Sequence, residues 1–353
     1  MIAAHQPTQR PRNARLLVVD SRGHIAHASR SRFLALLNRG DLVIANDAAT
    51  LPASLQGKHV PSGAAVEVRL AGRPSLAAAD VQTFSAVVFG EGDFHARTED
   101  RPHPPALRPG DRLELGSLTA TIESLLDHPR LVSLRFSGAP HEIWAGLARH
   151  GRPIQYAHVP AALALWDVWT PIAGQPVAFE PPSAGFVLDW GSITRMRERG
   201  ITFATITLAA GISSTGDPDL DRRLPLDEPY HIPETTAAAI RRAQQRGRRI
   251  IAVGTTVVRA LEHAASLDGL VHAGGGIANQ RLGPTSELRI VDAILSGTHE
   301  PDSSHYQLLR AFANDTTLAR AHEALETLGY RTHEFGDSVF IERRNRLVRD
   351  AAA

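Results

Sequence analysis

One short segment joins an apolar run to a helix through a glycine and two threonines. It reads RRIIAVGTTVVRALE, from Arg248 to Glu262, and its apolar residues change at Gly254 from a continuous run to helical spacing. Glycine lets the backbone turn sharply, and the first N–H groups of a helix lack internal acceptors and carry partial positive charge. With the hydroxyls of Thr255 and Thr256, this turn suits a carboxylate, a phosphate or a ribose. A threonine N-cap is the structural alternative.

Polar side chains suited to proton transfer lie at two other places. Asn46 and Asp47 follow the apolar run LVIA, where open α/β sheets place their ligands, although an Asx turn would also explain them. His299 and Glu300 lie in a loop before a helix that opens near Ser303, and such a pair suits proton transfer. A capped helix with a surface histidine is the alternative there. Further ligands at the usual helical spacing are missing, so we predict no metal site.

Two further motifs place acids beside turns. The segment DEPYHIPE puts Glu228 and Tyr230 ahead of a helix, and EFGDSVFIE puts Asp337 before an apolar strand. Both arrangements are also typical of ordinary turns. The glycine-rich segment AGGGIANQRLG, at 273–283, follows no apolar strand, so we predict a flexible loop there.

The elements that must position these residues show two different sequence patterns. Towards both ends of the chain strands alternate with helices, including a strand predicted over ELRIVDAIL at 287–295, and this alternation predicts a largely parallel sheet. From about residue 58 to 137 apolar and polar residues alternate with period two, without a convincing helix. We therefore predict an open, barrel-like α/β main domain made of 1–57 and 151–353, with an antiparallel β-domain, a barrel or a sandwich, inserted at 58–150.

The composition excludes several classes of protein. Of the 353 residues 43% are apolar, which supports a folded core, and 38 Lys+Arg against 37 Asp+Glu leave a formal charge of +1. So small a net charge provides no general positive surface for binding a nucleic acid. The chain has no cysteine, which excludes disulfides, thiolate metal sites and cysteine nucleophiles. A secretory signal and an apolar stretch of roughly 18 residues are both missing, so we predict a soluble cytoplasmic protein without a membrane partner.

Taken in order, these segments resemble one family, the S-adenosylmethionine:tRNA ribosyltransferase-isomerases of queuosine biosynthesis. The segment IAVGTTVVRALE is similar to the family's VIAVGTTSVRTLE, and GDLVIANDAATLPASLQG is similar to its GDLLVLNDTRVIPARLFG. In the same way IVDAILSGTHEP resembles VVDGLITNFHLP, and FGDSVFI resembles YGDAMLI. The resemblance covers nearly the whole chain and implies the family's fold, an α/β domain with an inserted β-barrel.

The resemblance also implies a reaction. The ribosyl part of S-adenosylmethionine is transferred to the aminomethyl group of a 7-deazaguanine in tRNA and isomerised to an epoxy-cyclopentanediol, while adenine and methionine leave. S-adenosylmethionine is a substrate, and no metal or second cofactor is implied. The positions that match imply Asp47, Glu228 and His299 as catalytic residues. The implied substrate-binding residues are Asn46, Gly185, Tyr230, Gly254, Thr255, Thr256, Arg259 and Asp337.

Several family positions carry other residues in this chain. Two arginines of the family's NDTRVIPARL are Ala49 and Ser54 here, and histidines of its APTAGLHF and LHVGLGTF are Val187 and Ala209. Arginine and histidine suit RNA phosphates and purine edges, so their loss predicts weak tRNA binding. The alternatives are a divergent relative with a non-tRNA acceptor and a catalytically silent relative that binds a nucleoside.

Overall fold

The structure is a computed structural model that describes residues 1–301 and 303–344. Its strands are β1 (Ile2–Ala3), β2 (Arg15–Val19), β3 (Ile25–Ser29), β4 (Leu42–Asn46), β5 (Ala49–Thr50), β6 (Ser54–His59), β7 (Ala65–Gly72), β8 (Thr83–Phe89), β9 (Arg112–Leu115), β10 (Leu118–His128), β11 (Leu131–Phe136), β12 (Gly151–Arg152), β13 (Pro176–Ala178), β14 (Thr202–Leu208), β15 (Glu228–Ile232), β16 (Ile250–Val253), β17 (Gly274–Ala278), β18 (Ala293–Gly297), β19 (Arg331–Thr332) and β20 (Ser338–Glu342). Its α-helices are α1 (Pro140–His150), α2 (Leu165–Val168), α3 (Trp190–Glu198), α4 (Pro218–Asp221), α5 (Glu234–Gln245), α6 (Thr255–Ala264), α7 (Ser304–Leu309) and α8 (Asp315–Thr327), and 3₁₀ helices cover Arg30–Leu36, Thr98–Asp100 and Ser183–Val187. None of the helices in the described residues combines the length and the apolar content needed to cross a membrane.

A mixed sheet of nine strands forms the centre of the α/β part. Its order is β17-β15-β14-β4-β16-β18-β20-β2-β3, and the neighbours β14, β4, β16 and β18 run parallel. Every residue of β4 and of β16 is buried, as expected for parallel strands that are covered on both faces. Antiparallel pairs extend the sheet on both sides, and β2 runs parallel to β20 near one edge.

The period-two region forms a closed antiparallel barrel of six strands. The strand order is β6-β7-β8-β11-β10-β9, and pairing of β6 with β9 closes it. In β9 the side chains of Leu113 and Leu115 are buried and alternate with exposed neighbours, which is the pattern that the sequence shows. The antiparallel β-barrel is therefore confirmed. Its separation as an inserted domain at 58–150 stays a prediction, and residues 345–353 of the predicted main domain lie outside the described part of the chain.

The glycine-rich segment at 273–283 is not the flexible loop that we predicted. Its residues Gly274–Ala278 form β17, which pairs antiparallel with β15. A Cβ on Gly276 would lie 2.4 Å from the Tyr230 hydroxyl oxygen, so only glycine lets the strand approach this ring so closely. The glycines thus serve close packing in a strand.

The strand predicted over residues 287–295 begins later, at Ala293. The Glu262 carboxylate accepts hydrogen bonds from the amides of Arg289, Ile290 and Val291, at 2.7, 3.0 and 2.9 Å. These amides are therefore unavailable to a strand ladder, and the chain enters the sheet only after them.

Candidate active site

The carboxyl ends of the parallel strands meet at one edge of the sheet, and several predicted residues lie there. β4 ends at Asn46, β16 at Val253 and β18 at Gly297, and these three strands are parallel neighbours. Asp47 and His299 therefore follow strands that end side by side. Open α/β sheets bind their ligands outside this edge, so the structure brings these residues to a place suited for a site.

The start of α6 presents unsatisfied donors at this edge. Gly254, at a φ of 103°, is the N-cap residue, so neither Thr255 nor Thr256 is the N-cap. Within the described residues, the amides of Thr255, Thr256 and Val257 and the two threonine hydroxyls form no hydrogen bond. Donors of this kind, at the positive end of a helix, suit an anionic or hydroxyl-bearing ligand.

The 3₁₀ segment Ser183–Val187 packs against this turn. A Cβ on Gly254 would lie 3.6 Å from the Ala184 Cβ, which places the segment beside the start of α6. On its other side, a Cβ on the buried Gly185 would lie 3.1 Å from the Thr170 Cγ2. Gly185 therefore acts by permitting close packing of the segment, and offers a ligand no side chain.

Asn46 and Asp47 differ in how far their side chains are engaged. The Asn46 side-chain oxygen accepts from the amides of Ala48 and Leu208, both at 3.0 Å, and its nitrogen donates to the Leu208 carbonyl at 2.9 Å. This side chain is buried and joins the ends of β4 and β14. Asp47 is partly accessible, and its Oδ1 accepts from the Thr207 hydroxyl at 2.7 Å. Of the two, Asp47 is the one placed to meet a ligand.

Glu228 and Arg259 form a buried ion pair between β15 and α6. Arg259 Nη1 lies 2.5 Å from Glu228 Oε2, and Glu228 Oε1 accepts from the Gly211 amide at 2.9 Å. Arg259 also donates to the Ala278 carbonyl at 2.9 Å. Burial raises the pKa of Glu228, and the positive charge of Arg259 opposes that rise. Both side chains are fully occupied in this arrangement.

Two other predicted binding residues are engaged within the fold. The Tyr230 hydroxyl lies 3.0 Å from His263 Nδ1, about two turns along α6 from the start of that helix. The buried Asp337 carboxylate accepts from the amides of Arg15 and Arg331, at 2.7 and 2.8 Å, and pairs with the Arg15 guanidinium. Asp337 thus fixes the entry to β20, and Tyr230 lies away from the edge where Thr255 lies.

His299 and His305 stack on each other just after β18. Their ring centroids are 4.7 Å apart and their planes differ by 13°. His299 Nε2 also lies 2.9 Å from the Ser296 hydroxyl. Burial lowers the pKa of His299 well below its usual value. The pKa of His305 is lowered to about 4, mainly by burial and also by the positive charge of Arg259, while the negative charge of Glu334 opposes this decrease. Both rings are therefore neutral at physiological pH, partly accessible, and close to groups from α6 and from the chain before β20.

Sequence reasoning missed one buried carboxyl group, that of Glu180. Glu180 is 8% exposed, and the Tyr156 hydroxyl donates to its Oε1. Burial raises the pKa of Glu180 to about 7, and the negative charge of Glu334 adds to that rise. A carboxyl group that is half protonated near neutral pH is suited to be a general acid.

A second carboxylate nearby, that of Glu334, has a pKa that is shifted in the opposite direction. Glu334 Oε2 lies 3.0 Å from His158 Nε2. Burial alone would raise the pKa of Glu334, but the hydrogen bond and the positive charges of His158 and His333 hold it below the usual value. Two carboxyl groups whose environments push their pKa values apart are suited to act as an acid and a base.

His158, His333 and Glu334 are also close enough together to be considered as metal ligands. One ligand atom of each lies within 4.8 Å of the others. The two imidazoles, however, stack at 4.0 Å with planes only 17° apart, and His158 Nε2 already faces Glu334. Imidazole nitrogens bind a metal along the ring plane, so one ring would have to rotate before both could share an ion. The arrangement fits a hydrogen-bonded acid–base pair as it is.

Local sequence patterns carry little signal for these missed residues. Tyr156 and His158 follow a segment that resembles a linker, and Glu180 precedes two prolines. His333 and Glu334 lie in a turn, with His333 at a φ of 68°, which is uncommon for a residue with a side chain. A backbone outlier of that kind can be recognised only in the structure, so it gave no signal in the sequence.

A protein-family comparison matches this chain over residues 1–341 with a family model described as Queuosine biosynthesis protein. Among similar proteins, the S-adenosylmethionine:tRNA ribosyltransferase-isomerase of Sorangium cellulosum (strain So ce56) is 34% identical, over 97% of this chain and 95% of the relative. The protein of that name from Pelobacter propionicus is 31% identical, over 97% of this chain and 96% of the relative. The similarity thus extends over almost the entire length of the proteins compared.

A solved structure has the same overall fold. The crystal structure of S-adenosylmethionine tRNA ribosyltransferase from Thermotoga maritima aligns with a TM-score of 0.51 and 22% identity, over 96% of each chain. At this identity the likeness supports the mixed α/β fold alone.

Proposed function

Because the chain belongs to the queuosine biosynthesis protein family, we propose that it is an S-adenosylmethionine:tRNA ribosyltransferase-isomerase. The reaction moves the ribosyl part of S-adenosylmethionine to the aminomethyl group of a 7-deazaguanine in tRNA. It isomerises that group to an epoxy-cyclopentanediol and releases adenine and methionine. The observation that carries the proposal is the family match along residues 1–341. A protein with these substrates would act in the cytoplasm, where tRNA is found.

The turn at Gly254 would hold S-adenosylmethionine. The free amides at the start of α6, with the Thr255 and Thr256 hydroxyls, would bind the methionine carboxylate or the ribose hydroxyls. This assignment uses groups that have no other partner in the described chain. We propose no cofactor beyond this substrate.

Glu180 and Glu334 would supply acid and base catalysis. Adenine leaves with the electron pair of its bond to the ribose, so a proton delivered to the base stabilises the departure. Glu180, with a pKa of about 7, would donate that proton. Glu334, held ionised beside His158, would accept a proton from the ribose or the attacking amine. Burial of both groups strengthens their effect on charges that develop nearby.

The residues predicted from the sequence divide into three roles. Asp47 and the neutral His299 would face the substrate from the carboxyl edge of the sheet. The Glu228–Arg259 pair would hold α6 in place, which makes both positioning residues. The remaining predicted residues, Asn46, Gly185, Tyr230 and Asp337, would shape the site from behind through their contacts within the fold.

Transfer RNA is the acceptor that we propose. The expectation of weak tRNA binding rested on Ala49, Ser54, Val187 and Ala209, and it is not supported, since relatives similar over the whole chain are named for tRNA as their substrate. A non-tRNA acceptor and a silent nucleoside-binding relative are for the same reason not favoured. The division into a main domain (1–57 and 151–353) and an inserted domain (58–150) is also part of this proposal.

An adenine-release assay tests the proposed function. The protein is incubated with S-adenosylmethionine and tRNA that carries 7-aminomethyl-7-deazaguanine, and adenine and the modified nucleoside are measured by chromatography. We expect one adenine for each epoxy-cyclopentanediol formed. The matched control is the same tRNA with guanine at that position, which should release none. Binding of both substrates without adenine release would instead identify a silent relative.

A further inference from the structure

A surface cleft of about 610 Å³ lies between the N-terminal segment and α2. Its lining includes Gln9, Arg10, Trp166, Asp167, Trp169 and Thr170. The Gln9 side-chain nitrogen donates to the carbonyls of Asp167 and Trp169, at 2.9 and 2.8 Å, so the N-terminal segment is fixed against the opposite wall. The cleft is therefore a formed feature of the surface.

The cleft presents three groups that await a partner. The Trp166 side chain is 75% exposed, which is unusual for a large apolar ring on a protein surface. The Thr170 hydroxyl oxygen is buried and has no hydrogen-bond partner among the described residues. Buried polar atoms are nearly always bonded, so an unpaired hydroxyl in a cleft wall indicates a ligand or an ordered water. Arg10 adds a positive charge at the rim.

The charge of Arg10 remains available to a ligand. The one carboxylate of the lining, that of Asp167, accepts from the Ala164 amide at 2.8 Å and thereby caps α2. Arg10 Nη1 donates to the Leu188 carbonyl at 3.1 Å, which orients the guanidinium without neutralising it. Asp189 lies near enough to be influenced by Arg10, but its side chain caps α3 through Ser192. An anionic group in the cleft would therefore meet a cation that is held in place and not ion-paired there.

The cleft and the candidate active site lie on two sides of one segment. Thr170, in the cleft wall, packs on Gly185, while Ala184 packs on Gly254 at the start of α6. Arg10 is bonded just beyond the same segment, at Leu188. The cleft and the candidate active site therefore share this segment as a common wall.

We propose that this cleft binds an unpaired nucleotide of the tRNA acceptor, next to the base that is modified. The base would stack on the Trp166 indole, and its phosphate would meet Arg10. Aromatic rings that bind unpaired bases, joined to arginines that bind phosphates, are the usual means by which proteins hold single-stranded RNA. This inference rests on the proposed function, since it takes tRNA as the acceptor.

Binding of a tRNA that carries 7-aminomethyl-7-deazaguanine tests the proposal. The dissociation constant of the RNA is measured by filter binding, and that of S-adenosylmethionine by calorimetry, for the wild type and for Trp166→Ala, Trp166→Phe and Trp190→Ala. Trp190 is 67% exposed but does not line the cleft, so it is the matched control. We expect Trp166→Ala to weaken RNA binding about ten-fold, the scale of one lost stacked base. Trp166→Phe should restore most of the affinity, and S-adenosylmethionine binding should not change.

The possible outcomes separate this proposal from the proposed function. Unchanged RNA affinity in Trp166→Ala, an equal loss in Trp190→Ala, or no RNA binding by the wild type would overturn the cleft proposal. Weaker S-adenosylmethionine binding in Trp166→Ala, with RNA affinity unchanged, would show that the cleft holds the other substrate and would overturn it too. Selective loss of RNA affinity in an enzyme that releases no adenine would support the cleft and contradict the proposed chemistry.

Discussion

The Glu228 carboxylate lies 2.5 Å from the Arg259 guanidinium, and both side chains are buried between β15 and α6. Arg259 lies one turn after the start of α6 and also donates to the Ala278 carbonyl of β17. The pair therefore fixes the first turn of α6, with its free amides and threonines, against the edge of the sheet. The position of this turn therefore depends on the Glu228–Arg259 pair.

Removal of Arg259 should destabilise the protein strongly. Arg259→Ala leaves the Glu228 charge buried without a partner, and we expect a loss of about 3–5 kcal/mol in the free energy of unfolding. Urea denaturation measures it. Arg241→Ala is the control, because its 2.7 Å pair with Glu234 is exposed and should contribute little. Equal effects of the two variants would contradict the assigned role of the buried pair.

Loss of one hydroxyl at the start of α6 should weaken donor binding. We expect Thr255→Ala to reduce the affinity for S-adenosylmethionine by about 1 kcal/mol, the scale of one neutral hydrogen bond. Calorimetry gives the dissociation constant, and an unchanged melting temperature shows that the fold is intact. Thr235→Ala, at an exposed position of α5, is the matched control. An affinity as high as that of the wild type would remove Thr255 from the site.

Glu180→Gln should slow the chemical step. If Glu180 is the general acid, its loss should lower the single-turnover rate by roughly 10²–10⁴-fold, while both substrates still bind. In the wild type the rate should fall as the pH rises past about 7, because the acid then loses its proton. The variant should lack that decline. Glu323→Gln, at an exposed position of α8, is the control; a pH profile of Glu180→Gln that matches the wild type would rule out the role.

The pH dependence of stability should also reflect the raised pKa of Glu180. Its pKa is raised to about 7 in the folded state, so between 4.5 and 7 the folded protein retains a proton that the unfolded chain has lost. Stability should therefore fall as the pH rises through that window. Glu180→Gln should remove this decline. Free energies of unfolding at about pH 5 and pH 8 provide the measurement, and the same decline in wild type and variant would assign it to another group.

His305 should act on stability in the opposite direction. Its pKa is lowered to about 4 in the folded state, so as the pH falls from 6.5 towards 4 the unfolded chain takes up a proton that the folded protein refuses. Stability is then lost with falling pH. His305→Gln should weaken this acid sensitivity. Denaturation at about pH 7 and pH 4.5 tests it, with His272→Gln, an exposed histidine, as the control.

Patterns that are local in the chain predicted much of the fold. The alternation of period two over residues 58–137 predicted an antiparallel β-domain, because a strand with one buried face needs an apolar side chain at every second position. The segment IAVGTTVVRALE predicted a strand, a glycine turn and a helix, and β16, Gly254 and α6 confirm it. The spacing of apolar residues in strands and helices follows from backbone geometry, so both patterns can be recognised in the sequence alone.

Where a pattern had two physical causes, the sequence could not choose between them. Glycines at 274–276 permit a flexible loop and equally a strand that packs under a ring, and only the position of Tyr230 decided for the strand. In the same way Asn46 and Asp337 have the residue types of a binding site. Their hydrogen bonds to backbone groups far along the chain show that they join elements of the fold.

The sequence by itself determined the family, the antiparallel β-domain and the strand–glycine–helix turn, since short motifs and local periodicity encode them. The tertiary structure alone decided which two carboxyl groups have pKa values shifted in opposite directions. Glu180 and Glu334 are 154 positions apart, and their partners Tyr156 and His158 come from a third segment. The pKa of a carboxyl group depends on its burial and on the charges around it, and those are set by chain segments that meet only when the protein folds.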